Sequence, residues 1–231
     1  MKKITAIILI ACCAFALFSC GAERQAIDRI NEMFEANSPT GVVIETSQII
    51  RNEDGEDVIT LNGVVTLVTG KYNGKDASVY ESKIDRFATV EEGATEDKGT
   101  YIIPGEKNVK KMEYLEEKGV RIDGGKWDAD ADDFAPTAGA INLNLKKRNL
   151  TDPVYENGKL SFTVAADKTA EVLGEAYARA TDVKVEITEY EGFVTSILIE
   201  YDDVPENEDY PSEHVIIKAT YSYGIQTVNI D

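Results

Sequence analysis

The sequence predicts an α+β fold: a strongly curved antiparallel sheet, an open half-barrel, carrying an N-terminal helix and one inserted helix. Three observations predict it. From Val43 onward, β-branched and other apolar residues recur with period two, the pattern of a sheet with one buried face. Short polar clusters at Asn52 to Glu56, Asn73-Gly74, Asn157-Gly158 and Glu191-Gly192 separate these runs by hairpin-sized gaps. Helical spacing predominates in only two stretches, and no period of about 20 to 50 residues repeats, which sets solenoids aside.

The first 19 residues read as a lipoprotein signal peptide. Lys2 and Lys3 precede an apolar run of about fifteen residues, Ile4 to Phe18, and the small residue Ser19 stands directly before Cys20. The run is short of the roughly 20 residues that span a bilayer. Cys12 and Cys13 would leave with the signal, so Cys20 would be the one cysteine of the mature chain and its first residue. An unpaired thiol outside the cell is a liability that diacylglyceryl modification removes, which makes Cys20 the candidate lipidation site. Phe18 is bulkier than the residue such signals usually carry there.

Residues 20–37 form the lipidated N-terminus and first helix, and residues 38–231 a single curved-sheet domain. Ile27, Ile30, Met33 and Phe34 lie near helical spacing, and Asn37 to Gly41 end the helix, with Pro39 removing a donor. Val43 to Ile50 and Val58 to Thr69 make a hairpin; Ile59, Leu61, Val65 and Leu67 share a face that Val64 and Val68 blur. Ala77 to Val90 continues the meander, Glu91 to Gly99 is an acidic loop, and Thr100 to Ile103 is a short strand stopped by Pro104. Lys107 to Asp123 fits a helix through Val109, Met112 and Leu115, and a hairpin around Lys118-Gly119; the hairpin is favoured. Ile141 to Leu150 is strand or short helix, ending in the cationic trio Lys146, Lys147, Arg148. Lys159 to Val164 is a strand, and Asp167 is placed to cap a helix over Lys168 to Ala180. Val183 to Ile187 and Phe193 to Tyr201 form a hairpin, an acidic loop runs from Asp202 to Glu213, and strands follow at His214 to Tyr223 and Ile225 to Ile230.

Removing the signal leaves 22 basic against 42 acidic residues, a formal charge of −20. That balance repels nucleic acid and anionic surfaces, so no nucleic-acid partner is expected, and the lipid anchor would hold the domain to its membrane without electrostatic help. With 43% hydrophobic residues the chain is no acidic tail.

Enzymatic signatures are sparse. His214 is the single histidine and, beside Glu213 on a strand edge, reads as a surface residue rather than a general base. No G-x-S-x-G elbow, G-x-G-x-x-G turn or phosphate loop occurs, and no second mature cysteine remains for zinc. Asp128, Asp130 and Asp132 alternate as in a calcium loop, but Asp133 and Gly139 occupy the places of the EF-hand glycine and bidentate glutamate, so a solvated acidic loop is expected over Asp128 to Asp133. A glycosidase carboxylate pair stays open among so many acids, although Trp127 is the one tryptophan available for stacking on sugar. Tyr101, Tyr114, Tyr190, Tyr201, Tyr221 and Tyr223 fall on strands, where cross-strand packing is their expected role. No catalytic residue, metal ligand or cofactor is expected.

In layout, the chain resembles the LolA-like family of envelope lipoproteins. The resemblance rests on the anchored N-terminus and helix leading into hairpins, on Glu117 to Val120 and Lys126-Trp127, on the strand, helix and hairpin from Leu160 to Tyr201, and on the ending Thr220 to Gly224. It implies an open half-barrel lidded by helices, whose concave face holds an acyl chain or another hydrophobic small molecule. Two functions follow as expectations: a non-enzymatic lipoprotein that binds or carries such a ligand in the cell envelope, or a structural lipoprotein with a self-filled core and an acidic protein-binding surface.

Overall fold

The computed structural model describes residues 21, 23–88, 107–130, 138–141, 143–203 and 212–230. The signal peptide, Cys20, the strand expected at Thr100 to Ile103 and residues 131–133 of the acidic loop lie outside the described residues.

Helix α1 covers residues 23–36. Among the described residues ten strands follow: β1 Gly41–Arg51, β2 Asp57–Tyr72, β3 Lys75–Ala88, β4 Lys107–Leu115, β5 Gly119–Ile122, β6 Leu150–Glu156, β7 Lys159–Val164, β8 Thr181–Tyr190, β9 Phe193–Asp203 and β10 Ser212–Ser222. A five-residue helix, α2, Thr169–Leu173, sits between β7 and β8. All strands join one antiparallel sheet in the order β5-β4-β3-β2-β1-β10-β9-β8-β7-β6, so it is open at β5 and β6. The expected class, α+β on a curved open sheet, is the observed one. Two meanders, β1 to β5 and β6 to β10, are zipped together at the centre, where Gly41 to Arg51 pairs with Ser222 to Ser212.

The hairpins form where the sequence places turn residues. Asn73-Gly74, Asn157-Gly158 and Glu191-Gly192 all have positive φ at both positions, the two-residue geometry whose twist matches the flanking strands. The Lys107 to Asp123 segment is a hairpin, as its glycine-bearing turn suggests.

Four elements differ from expectation. Over Ile141 and residues 143–149 the described chain is neither strand nor α-helix. Leu143 and Leu145 alternate because both pack into the core, and a single 3₁₀ turn at Lys147–Asn149 follows the extended Lys146. Strand β6 is unanticipated because Asp152, at φ 48°, and Pro153 interrupt its pattern; a bulge between Thr151 and Val154 absorbs both, which an edge strand tolerates. The helix expected over Lys168 to Ala180 breaks into α2 and a 3₁₀ turn because Gly174 adopts φ 103°, and Asp167 makes no capping bond. Ile225 to Ile230 is a tail across β2, joined to its backbone by an isolated parallel bridge from Thr227 to Lys71.

Strand register assigns the side chains to two faces. On the inner face Val42, Ile44 and Ile50 of β1 stand opposite Leu67, Val65 and Ile59 of β2, and opposite Tyr221, Ala219 and Glu213 of β10. The main core lies on this face over β7 to β10. Leu160, Val183, Val185, Ile187, Ile197 and Ile199 pack there beneath Ile27 and Ile30 of α1 and beneath Leu143 and Leu145. A second, smaller core lies on the opposite face, where Ala77 and Leu115, with Val68 and Val79, meet Val228 of the tail and Trp127. Val68 therefore breaks the alternation of β2 because it serves the other face.

Candidate functional site

The segment joining β5 to β6 has to cross the sheet, since those strands are its two edges. The Ala138 N–H donates to Thr69 Oγ1 (3.2 Å), the Ile141 N–H to Tyr221 Oη (2.9 Å), and the Asn144 N–H to the Val172 carbonyl (2.9 Å). Asn31 of α1 donates to the Leu145 carbonyl at 2.9 Å, tying helix and crossing together. Further along α1, Arg29 forms a two-pronged ion pair with Glu189 and lies 5.1 Å from the Tyr155 ring centre, while the Tyr155 hydroxyl also donates to Glu189. Burial raises the Tyr155 pKa, and the neighbouring Glu189 carboxylate raises it further. These contacts fix α1 as a cover over β6 to β10.

Over β1 to β5 the inner face stays apolar but is less covered. Ile44, Ile50, Ile59, Leu61, Val65 and Leu67 are all half-buried, whereas Leu160, Ile187, Ile197 and Ile199 on the covered half are at most 0% exposed. Thr46 and Gln48 interrupt this strip on β1, and Gln48 Nε2 donates to Glu213 (2.6 Å). At the β5 edge the face ends in a groove of about 450 Å³ lined by Met112, Val120, Ile122, Lys126 and Asp128. Val120 is buried and Ile122 is 46% exposed. Hydrogen bonds exchanged between Val120 and Asp128 form its floor. Cations stand beside the groove. Arg121 lies 4.7 Å and Lys118 5.5 Å from the Trp127 ring, and Arg121 also pairs with Glu113, a carboxylate buried on the opposite face. An apolar trough with cations at one end suits a molecule with a hydrophobic body and a polar or acidic end.

A solved structure resembles this chain. It is the crystal structure of a DUF1329 family protein from Desulfovibrio piger, at 8% identity and a TM-score of 0.23, covering 88% of this chain and 94% of that one. A likeness at that level transfers neither fold nor function. No family model matches the chain, and no curated protein matches it.

The other candidates fall elsewhere. His214 lies on interior strand β10, not on a strand edge, because β1 and β9 flank it on either side. Its Nδ1 is 2.7 Å from Asp202 Oδ1, and its Nε2 is 3.9 Å from Glu200, which also binds Lys184 at 2.8 Å. This outer-face charge ladder is far in register from the groove. In the acidic loop, Asp128 Oδ1 accepts from the Asp130 N–H at 3.0 Å, a turn contact. Among the described residues no three acidic, histidine or cysteine side chains gather as metal ligands; Asp132 and Asp133 lie outside them. Of the strand tyrosines, Tyr190 is 66% exposed, while others pack. Tyr201 meets Tyr177 edge to face at 5.7 Å, Tyr223 meets Phe193 at 4.7 Å, and Tyr101 lies outside the described residues.

The inner face was legible as alternation, but its division into a filled and a less filled half was not, because that depends on where the crossing segment lands. The groove was likewise missed. Its one sequence signal is Ile122 standing before Gly124-Gly125, an apolar residue at an edge turn.

Proposed function

We propose that this protein is a membrane-anchored bacterial lipoprotein of the cell envelope, held by lipid on Cys20, that binds or carries a hydrophobic or acylated molecule without covalent chemistry. The supporting observation is the asymmetry of the inner face. The apolar inner face runs across the sheet, and α1 and the crossing segment pack most tightly onto its β6 to β10 half and reach the other half at Val42, Leu67 and Thr69, while the rest of the β1 to β5 half presents half-buried aliphatic side chains leading to the 450 Å³ groove. In this reading Lys126 in the groove lining meets the polar end of the ligand and the strip from Leu61 to Ile44 meets its hydrocarbon. The layout shared with LolA-like lipoproteins agrees with it. Filling of the β6 to β10 half by the chain's own residues favours the competing reading, a structural lipoprotein with a protein partner.

Both cores are built from residues after Cys20, so the domain beginning at Gly21 is suited to the test. Mass spectrometry of organic extracts of that domain, purified without detergent, should detect acyl-containing molecules, and a fluorescent fatty-acid probe should bind with saturation. Empty extracts together with absent probe binding would overturn ligand carriage and leave the structural reading.

A further inference from the structure

The chain is strongly acidic, but its cations are not spread evenly. Arg24 in the first turn of α1 and Lys146, Lys147 and Arg148 at the end of the crossing segment line one cleft of about 470 Å³, together with Ile27 and Asn31; Asp28 is the one acid in that lining. The crossing segment and α1 hold these cations together through the bond from Asn31 to the Leu145 carbonyl. These ion pairs are long: Lys146 to Glu171 is 3.8 Å, Arg148 to Glu171 3.7 Å and Arg24 to Asp28 4.0 Å, all at the surface, and Lys147 to the half-buried Glu23 is 3.8 Å. Pairs of this kind cost little to exchange for another anion. Asn149 and then Lys146, Arg148 and Lys168 hold the Glu171 carboxyl below the usual carboxylate range.

Position gives the cluster its meaning. Arg24 follows Cys20 by four residues, so the backbone limits the distance between them to roughly 14 Å even when fully extended. We infer that the cleft formed by Arg24, Lys146, Lys147 and Arg148 is the membrane-facing surface of the domain and binds the phosphates of anionic phospholipid headgroups in the bilayer that carries the anchor. This rests on the proposed lipid at Cys20. An anchor alone leaves a domain free to tumble; a cationic cleft beside it sets which side faces the lipid, while the acidic remainder of the surface is repelled and points away. The expectation that the anchor works without electrostatic help is thereby revised locally.

A single engineered thiol tests the orientation and the anchor separately. Asn144 is exposed beside the cluster, so the Asn144→Cys full chain, expressed in a lipoprotein-processing host, is labelled with an environment-sensitive dye. With Cys20 acylated and the signal removed, one dye attaches per chain. In vesicles containing phosphatidylglycerol, emission should blue-shift and rise about twofold or more over phosphatidylcholine vesicles. High salt should reverse the change, and Lys146→Gln/Arg148→Gln should weaken the lipid-dependent signal roughly 10-fold or more, since each cation near such a surface contributes about fivefold. Equal emission in both vesicle types with one dye per chain overturns the inference, and so does a difference that survives the double substitution in a variant with an unchanged melting temperature. More than one dye per chain refutes the anchor instead. Sedimentation of that unacylated protein then decides the cleft: salt-sensitive binding to phosphatidylglycerol vesicles supports it, and no binding refutes it.

Discussion

Tyr221→Phe isolates the contact that holds the crossing segment on the sheet. Tyr221 is 6% exposed on β10, and its hydroxyl accepts the Ile141 N–H at 2.9 Å. Phenylalanine keeps the ring and its packing but leaves that backbone donor without its acceptor, a loss of about 1–3 kcal/mol. With an m-value of about 3 kcal/mol/M for a chain of this size, the urea midpoint should fall by about 0.3–1 M. The alkaline limb gives an independent reading. Burial pushes the Tyr221 pKa up to about 12, against the opposing pull of the Ile141 N–H. The folded state thus keeps a proton that the unfolded state releases near its ordinary value of about 10, so stability is intact below about pH 10 and is lost as pH rises toward 12, at about 1.4 kcal/mol per pH unit for each such tyrosine. Tyr201, also raised to about 12 by burial and then by Tyr177, adds to the same limb. The substituted protein should therefore lose less stability than the parent between about pH 8 and about pH 11. A midpoint shift under about 0.2 M at neutral pH, or equal alkaline losses in the two proteins, would refute the reasoning.

Other substitutions probe the two cores and the face between them. Arg121→Ala takes the guanidinium from Glu113, which is 1% exposed and keeps Lys111 at 3.2 Å, and should cost about 1–3 kcal/mol and shift Trp127 emission, whereas Arg121→Met with Glu113→Leu should cost clearly less, as measured by denaturant melts. Gly70→Ala places a Cβ 2.1 Å from the Gln226 carbonyl oxygen; the tail should lift, and hydrogen exchange should speed at Lys71 and Val228, whose amides bond across that junction. Ile197→Ala, in the filled half, should lower stability by about 2–5 kcal/mol without touching probe binding. Leu61→Glu, in the less filled half, should weaken fatty-acid probe binding at least about tenfold through the desolvation of a new charge, with a melting temperature within a few degrees of the parent; full probe binding by this variant would remove the β1 to β5 strip from the site.

The parts of this fold legible in the sequence are those set by local chemistry. Two-residue turns at Asn73-Gly74, Asn157-Gly158 and Glu191-Gly192 fix hairpins because their positive φ angles suit asparagine and glycine. Period two marks β8 and β9 cleanly because only one face there is buried. Legibility fails where tertiary context decides. Leu143 and Leu145 alternate like a strand but pair with none of the described strands, and Val172 and Ala180, both inside the expected helix of Lys168 to Ala180, reach the same core from either side of a break at Gly174. Val68 reads as noise until the second core on the opposite face is known. The site was hardest to read for the same reason, since a less filled half of a sheet is a property of what fails to land on it.

The central pairing of β1 with β10 bears on how such a chain matures. Thr40 and Ser222, hydrogen-bonded at the end of that pairing, stand 182 residues apart, so the sheet cannot be completed until nearly the whole polypeptide has left the ribosome. A chain whose middle seam joins its first and last strands has a high contact order and folds slowly. In the proposed lipoprotein, this seam would leave the sheet unclosed until the C-terminal strand had crossed the membrane.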